Sequence, residues 1–322
     1  MPLTQDQMKA ATFGRPSAVP VSAGILPAVW MKYRDELDRI VRRHPILFPK
    51  YAGNSNYDAI WSPTYHAGNH VDEWGCVWSN VQDGMEAIVT HHPVPTRADV
   101  RKLKAPDLIK PELKHGFMYL RLGDLRGFEE LMLDFAEDAP ELQMLIDIVL
   151  EHNMQRLELM CQKLPKGELH GFGDDLGMQT SLAMGAQKWR KYLKPCFMKI
   201  FQRWRADGRM VYFHTDGCCW EVIPDLQECG VQIINPQYRA NGLDNLVKVC
   251  KGKLCCCLDL DRQLFPFATP KEIDQHVREC ITKLGSREGG LWVSAEIGMD
   301  YPLENIEAIF AALEKYRTIY SN

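Results

Sequence analysis

The feature that most constrains the fold is an alternation, from about residue 116 onward, of short apolar runs with long amphipathic stretches. Each run has the length of a strand, and most favour β-branched, aromatic or cysteine residues, as strands buried on both faces do. Strands that alternate with helices need crossover connections, which make the strands parallel in one sheet. The apolar runs cover residues 117–120, 169–172, 210–213, 231–234, 254–258 and 291–294.

Proline and glycine mark the boundaries of the helices between these runs. Helices are predicted over residues 187–206, 220–229, 270–284 and 302–316, because glycine follows the first three and proline opens the last two. Residues 18–21 predict a first strand, and a second is expected before residue 116. The elements predict a single domain over residues 1–322, an α/β protein with a (β/α)₈ TIM barrel, although periodicity alone also allows an open doubly wound sheet. Strand-like runs flank Asp83-Gly84 within residues 74–90, which predicts an inserted N-terminal β-hairpin.

Composition and charge exclude several classes of function. The 46% hydrophobic content is typical of a globular protein, and the scattered basic residues with a net charge of −4 argue against nucleic-acid binding. The first residues lack the basic-then-apolar layout of a signal peptide and no apolar run has the length of a membrane span, so a cytoplasmic location without a membrane partner is expected. The eleven cysteines are odd in number and lack Cys-x-x-Cys spacing, which predicts reduced, buried thiols.

Polar side chains follow the apolar runs at the same relative position. In a barrel the carboxyl ends of parallel strands meet at one rim, where catalysis on this fold takes place. Helix N-caps are the alternative for Asp175 and Asp216. The set as a whole favours a site, because a carboxylate kept near a cavity costs desolvation free energy. The positions are Asp174, Asp175, Gln179, His214, Asp216, Asn235, Asp261, Arg262 and Glu296.

The predicted hairpin adds a second group of candidates. Trp74 and Trp78 lie within it and could form the floor of a pocket for a flat substrate. Packing of the hairpin against the rest of the protein explains these side chains equally well.

The motifs that contain the strand-end residues resemble the uroporphyrinogen decarboxylase superfamily. The resemblance covers roughly residues 115–316 and implies a barrel whose active site lies at the carboxyl ends of the strands. In chain order the matching stretches are residues 171–179, 189–195 (Trp-Arg-Lys-Tyr-Leu-Lys-Pro), 213–217 (Phe-His-Thr-Asp-Gly), 223–226 (Ile-Pro-Asp-Leu), 234–236 (Ile-Asn-Pro), 267–272 and 302–306.

One departure from the family pattern bears on the reaction. True uroporphyrinogen decarboxylases carry an Arg-Gln-Ala-Gly-Arg segment near the N-terminus, whose arginines hold the substrate carboxylates. The comparable residues 27–36 read Pro-Ala-Val-Trp-Met-Lys-Tyr-Arg-Asp-Glu and lack that clamp. The resemblance therefore favours the other branch of the superfamily, the methyltransferases that exchange methyl groups with a corrinoid on a separate protein.

The resemblance also implies a metal site. Several members of that branch hold zinc through a His-x-Cys pair and a later Cys, and the matching positions here are His214, Asp216 and Glu296. One imidazole and two carboxylates form a harder site than thiolates do, but such a site can still polarise an ether oxygen as a Lewis acid. Zinc is the candidate ion. The alternative is a metal-free site in which His214 is a hydrogen-bonded pocket residue or a proton donor.

We therefore expect a corrinoid-dependent methyltransferase of the O-demethylase type. It would take methyl from a small methoxylated compound and pass it to a corrinoid-binding protein; a homodimer is one candidate assembly. The residues expected to act in catalysis are His214, Asp174, Asp175, Gln179 and Asp261, and those expected to bind substrate are Trp74, Trp78, Arg262 and Asn235.

Two other classes of function are compatible with the sequence. A cofactor-independent decarboxylase of a small carboxylated substrate would need a cationic group for the developing carbanion, and Arg34 and Arg262 are its candidates. A binding protein that kept the barrel and lost catalysis is the third class. The number of acidic strand ends argues against it.

Overall fold

The computed structural model describes residues 3–60, 62–107, 110–167 and 169–321, which divide into two compact units. The first unit comprises residues 68–79 and 87–234, and the second comprises residues 3–67, 80–86 and 235 onward. The single domain over residues 1–322 stays a prediction. Among the described helices, none is both long enough and apolar enough to cross a membrane.

The strands alternate with helices along most of the chain, as the sequence predicts. The strands are β1 (Val21–Ile25), β2 (Gly68–Val71), β3 (Val77–Asn80), β4 (Ile88–His91), β5 (Leu169–Gly173), β6 (Met210–Thr215), β7 (Ile233–Pro236), β8 (Cys255–Asp259) and β9 (Leu291–Ile297). The helices are α1 (Gln5–Ala11), α2 (Pro27–Arg42), α3 (Tyr119–Arg126), α4 (Phe128–Glu137), α5 (Pro140–Lys163), α6 (Gly185–Lys188), α7 (Lys194–Arg205), α8 (Ile223–Cys229), α9 (Tyr238–Asn241), α10 (Leu243–Cys250), α11 (Pro270–Leu284) and α12 (Leu303–Tyr316). Short 3₁₀ turns cover Pro63–Tyr65, Arg97–Lys102 and Trp220–Val222, and a π turn covers Trp189–Leu193.

In the first unit, β5 and β6 form a parallel pair that confirms the strands predicted at 169–172 and 210–213. Their register runs from Leu169 opposite Met210 to Gly173 opposite His214. Phe213 of β6 packs against Phe197 of α7 at a centroid distance of 5.5 Å, and both rings are fully buried. The pair therefore has an apolar side toward α7, and its carboxyl ends lie side by side.

The helix predicted over residues 187–206 is divided by its π turn. It comprises α6, the turn Trp189–Leu193 and α7. Pro195 lies in the first turn of α7 and has no N–H to donate to the carbonyl four residues earlier. The π turn before α7 is wider than an α-helical turn, and it lies where this hydrogen bond is missing.

The strand predicted at residues 117–120 is wrong, because this run leads into helix α3. The buried Asp174 carboxylate accepts hydrogen bonds from the amides of Met118, Tyr119 and Leu120, at 3.1, 2.6 and 2.9 Å. These are the amides that the start of a helix leaves without backbone partners. A carboxylate distant in sequence thus caps α3 and favours a helix where the local apolar pattern is ambiguous.

The hairpin predicted within residues 74–90 is confirmed, with an additional strand. β3 and β4 pair antiparallel, with Trp78 opposite Val89, and β2 adds a third strand in the order β2-β3-β4.

In the second unit, β9 pairs in parallel with both β1 and β8. All five residues of β8 are buried, as expected for a strand covered on both faces. The strand predicted at 18–21 lies later, at β1, where pairing begins with Val21 opposite Val293. Pro20 accepts a hydrogen bond from the Val293 amide but has no N–H of its own to extend the ladder.

The last two helices lie where proline predicts them. The Thr269 side chain and Glu272 form a reciprocal capping box at the start of α11, which covers the predicted residues 270–284. Pro302 is the N-cap of α12. All eleven cysteines are free thiols and buried.

Candidate functional site

The carboxyl ends of β5 and β6 bring three of the predicted residues together. Gly173 pairs with His214, so the residues that follow each strand emerge next to one another. The Asp174 amide donates to the His214 carbonyl at 3.1 Å, and the Asp216 amide donates to the Asp175 Oδ1 atom at 2.9 Å. Register alone therefore places Asp175 beside His214 and Asp216.

The three side chains form a group that could hold a metal ion. The His214 Nε2 atom lies 3.2 Å from Asp216 Oδ1 and 3.8 Å from Asp175 Oδ1. One ligand atom from each residue lies within 4.8 Å of the others, and all three side chains are half-buried. Among the described residues, His214 and Asp216 of the predicted metal site thus lie next to Asp175, which is a candidate third donor.

Two glycines fix the loops that carry these side chains. A Cβ atom on Gly177 would lie 2.3 Å from the Cys218 nitrogen, and one on Gly217 would lie 2.1 Å from the Gly177 carbonyl oxygen. Gly217 also has a φ of +78°, which favours glycine. The Cys218 amide donates to the Met178 carbonyl at 2.7 Å. The loops after β5 and β6 thus pack backbone against backbone, which sets the spacing of the acidic side chains.

His115 is a further member of the site that the sequence analysis did not identify. Its Nε2 atom lies 2.9 Å from Asp175 Oδ2, on the carboxylate oxygen that does not face His214. Its ring centroid is 5.6 Å from that of His214. A Cβ atom on Gly173 would lie 2.3 Å from the His115 Nδ1 atom, so only glycine at residue 173 leaves room for this imidazole.

The charges of this cluster are complementary. Burial raises the pKa of Asp175. The hydrogen bond and positive charge of His115, together with the Asp216 amide, lower this pKa by more than burial raises it, so the net shift is downward. Burial lowers the pKa of His115, but its hydrogen bond to Asp175 and the negative charge of that carboxylate together outweigh burial, and the net shift is upward. The hydrogen bond between the two side chains therefore favours the charged form of each.

Asp174 and Gln179 lie in the same loop but in different surroundings. Asp174 is fully buried, and its carboxylate caps helix α3 as described above. Burial raises the pKa of Asp174 to about 7, against the lowering effect of the Leu120 and Tyr119 amides. Gln179 is exposed in the bend that follows Gly177. Asp174 thus holds the backbone that leads from His115 into α3.

In the second unit, the predicted residues are engaged in polar pairs. Arg239 forms a two-pronged hydrogen bond to Asp261, at 2.8 and 2.7 Å, and Asp261 is buried. Arg262 lies 2.9 Å from Glu296, so this predicted metal ligand forms an ion pair with a cation. The Asn235 side chain donates to the Cys257 carbonyl at 2.6 Å and is buried.

The two tryptophans of the hairpin sheet also have structural partners. Trp74 is buried with its ring edge-on to His152 at 4.9 Å. The indole N–H of Trp78 donates to Asp72 at 3.1 Å, and Arg121 contacts the same carboxylate oxygen at 2.6 Å. Their substrate-binding role stays a prediction, since packing within the first unit accounts for both rings.

The chain matches a known protein family in sequence and a known structure in fold. Its sequence matches the uroporphyrinogen decarboxylase (URO-D) family over residues 116–316, well over half of its length. No curated protein is significantly similar to it in sequence. A solved structure of a methyltransferase from Methanosarcina mazei covers 96% of this chain and 97% of its own, with a TM-score of 0.63 and 17% identity. Similarity at this level of identity concerns the fold, and it confirms the predicted α/β fold of the TIM-barrel type.

Proposed function

Because this chain belongs to the uroporphyrinogen decarboxylase family, as its motifs predicted, we propose that it is a methyltransferase of that family. It transfers a methyl group from a small methoxylated compound to a corrinoid carried by a partner protein. The observation that carries the proposal is the group of Asp175, His214 and Asp216 at the ends of β5 and β6. The fold that the chain shares with a methyltransferase is consistent with this function.

The donor set of this group fits a divalent metal ion. An imidazole nitrogen and two carboxylate oxygens, half-buried and within 4.8 Å of one another, are ligand types that zinc accepts in proteins. Asp175, His214 and Asp216 would hold the ion. A bound ion would supply Lewis acidity toward the ether oxygen of the methyl donor.

The side chains of this chain have defined tasks in such a transfer. The methyl group leaves as the equivalent of a cation, and the electron pair of the broken carbon–oxygen bond remains on the departing oxygen. That oxygen then needs a proton. In the metal-free form of the site, His214, with Asp216 at 3.2 Å and Asp175 at 3.8 Å, is placed to hold one at Nε2. An Nε2 atom that binds the ion cannot carry this proton, which then comes from solvent. His115 fixes the Asp175 carboxylate from its far side.

The alternative reaction, decarboxylation, has less support in the geometry. It would use Arg34 or Arg262 to stabilise the developing carbanion. Arg34 forms an ion pair with Asp58 at 2.7 Å, and Arg262 forms ion pairs with Asp259 and Glu296. Both guanidinium groups already have carboxylate partners, so neither offers an uncompensated positive charge.

A methyl-transfer assay tests the function directly. Reduced cobalamin is mixed with the protein and a series of methoxylated aromatic compounds, and formation of methylcobalamin is followed by absorbance. We expect turnover with at least one compound, and a decrease of about 10²–10⁴-fold in His214→Ala. His91→Ala, at an exposed histidine of β4, is the control and should retain the rate. Full activity in His214→Ala would contradict the assignment of the site, and release of CO₂ from a carboxylated compound would favour the alternative.

A further inference from the structure

The second unit contains a cavity of about 570 Å³ near the carboxyl ends of β8 and β9. Its volume is within the range of pockets that bind small molecules. Its lining combines two arginines and two carboxylates with aromatic rings. The charged and aromatic residues of the lining are Arg239, Arg262, Glu296, Asp300, Phe267 and Tyr301.

Both cations of this cavity are neutralised by the protein itself. The Arg262 guanidinium lies between two carboxylates, with Nη1 at 2.9 Å from Glu296 and Nη2 at 2.5 Å from Asp259. The Arg239 guanidinium is held by both oxygens of Asp261. Asp300 adds a further carboxylate to the lining. The four acidic groups exceed the two cations, so an incoming anion would meet a net negative charge.

The lining also offers apolar surface to a ligand. The Phe267 side chain borders the cavity and is 88% exposed, so its ring is accessible to a ligand. Tyr301, by contrast, is fixed: its hydroxyl donates to the Arg262 carbonyl at 3.0 Å, and the Tyr33 hydroxyl donates to the Tyr301 carbonyl at 2.6 Å. The exposed Phe267 ring, with the fixed and largely buried Tyr301 beside it in the lining, suits a small aromatic compound.

From these contacts we propose that the cavity binds a small uncharged aromatic ligand and discriminates against carboxylates. The inference concerns this cavity of the second unit alone and goes beyond the proposed methyl transfer. Glu296 is the residue that determines this specificity, because its carboxylate occupies the face of Arg262 that a substrate carboxylate would otherwise use. In this role Glu296 acts on the ligand through Arg262.

Equilibrium binding of two probes of similar size tests the proposal. They are 4-methoxyphenol, which is uncharged at neutral pH, and 4-methoxybenzoate, which is an anion. The native protein, without cobalamin or added metal, should bind the phenol about tenfold or more tightly than the benzoate. Glu296→Gln should raise the affinity for the benzoate by about tenfold, because the neutral amide no longer compensates the charge of Arg262 and is a weaker partner for it than a carboxylate.

Two further variants test whether the Arg262–Glu296 ion pair is the cause of the change in benzoate affinity. Asp300→Asn removes one negative charge from the same lining but keeps the partner of Arg262, so it should change the benzoate affinity much less. The double variant Arg262→Gln/Glu296→Gln should lose the gain, because the cation that binds the benzoate is absent. It also remains informative if the single variant folds poorly.

The outcomes separate this inference from the proposed function. Equal binding of both probes by the native protein, binding of neither, or an unchanged preference in Glu296→Gln would overturn the inference. Methyl transfer to cobalamin could still occur in each of these cases, with the donor bound elsewhere. Conversely, selective binding without methyl transfer would leave the cavity assignment standing and remove the proposed reaction.

Discussion

The Asp175 carboxylate is held from two sides, and this is the clearest example of positioning by single residues. One oxygen accepts from the Asp216 amide and faces His214, and the other contacts His115 at 2.9 Å. A ligand carboxylate that is oriented by a second histidine binds a metal ion with less loss of rotational freedom. His115 in turn depends on Gly173, which leaves the space for its ring.

Loss of His115 should therefore weaken metal binding without removing a ligand. We expect His115→Ala to raise the dissociation constant for zinc by about 10- to 100-fold, the usual effect of losing an outer hydrogen-bond partner. Isothermal titration with zinc at fixed pH measures this change. His115→Gln retains a side-chain N–H that can reach the carboxylate and should recover part of the affinity. Equal zinc affinity in His115→Ala and the native protein would contradict this role.

At the scale of elements, the site depends on the contact between the two loops that follow β5 and β6. Gly177 and Gly217 face each other so closely that neither position has space for a Cβ atom. The Leu176 amide donates to the Thr215 hydroxyl at 3.0 Å, and the Gly177 amide donates to the Asp216 carbonyl at 3.1 Å. These bonds connect two loops that are about forty residues apart in sequence, and they keep Asp175 and Asp216 next to His214.

A single methyl group in this contact should separate the loops. Gly177→Ala places a Cβ atom 2.3 Å from backbone atoms that cannot rotate away. We expect a decrease in the free energy of unfolding of about 1–3 kcal/mol, the range for overpacked sites, measured by chemical denaturation. Gly123→Ala in α3 is the matched control, because nothing lies within 4 Å of its Cβ position. That change should be neutral or stabilise by up to about 1 kcal/mol. Equal stability of the two variants would show that the loops do not pack as described.

At the scale of the whole molecule, the parts of the fold that the sequence predicts are those with local signals. β5, β6, β8 and β9 follow from apolar runs of strand length, and α11 follows from Thr269-Pro270 and Gly285. The run at 117–120 was misassigned because its helix is capped by Asp174, more than fifty residues away. A short apolar run cannot distinguish strand from helix when the deciding contact is so distant.

Local sequence signals likewise predict one part of the candidate site and miss the rest. Neighbouring parallel strands in register bring Asp175, His214 and Asp216 together, so their position at strand ends was informative. His115 precedes an apolar run rather than following one, and no strand-end pattern could have identified it. The pairing of Glu296 with Arg262 joins side chains 34 positions apart, and its chemistry is visible only once the chain has folded.

The central claim is that Asp175, His214 and Asp216 form a metal centre, and zinc stoichiometry tests it most directly. Protein stripped with chelator and then titrated with zinc should bind about one equivalent, and His214→Ala should bind little or none, because a three-ligand site has no spare donor. Asp261→Asn, in the second unit, should bind as the native protein does, since Asp261 pairs with Arg239. Native protein that binds no zinc, or His214→Ala that binds a full equivalent with native affinity, would contradict the account.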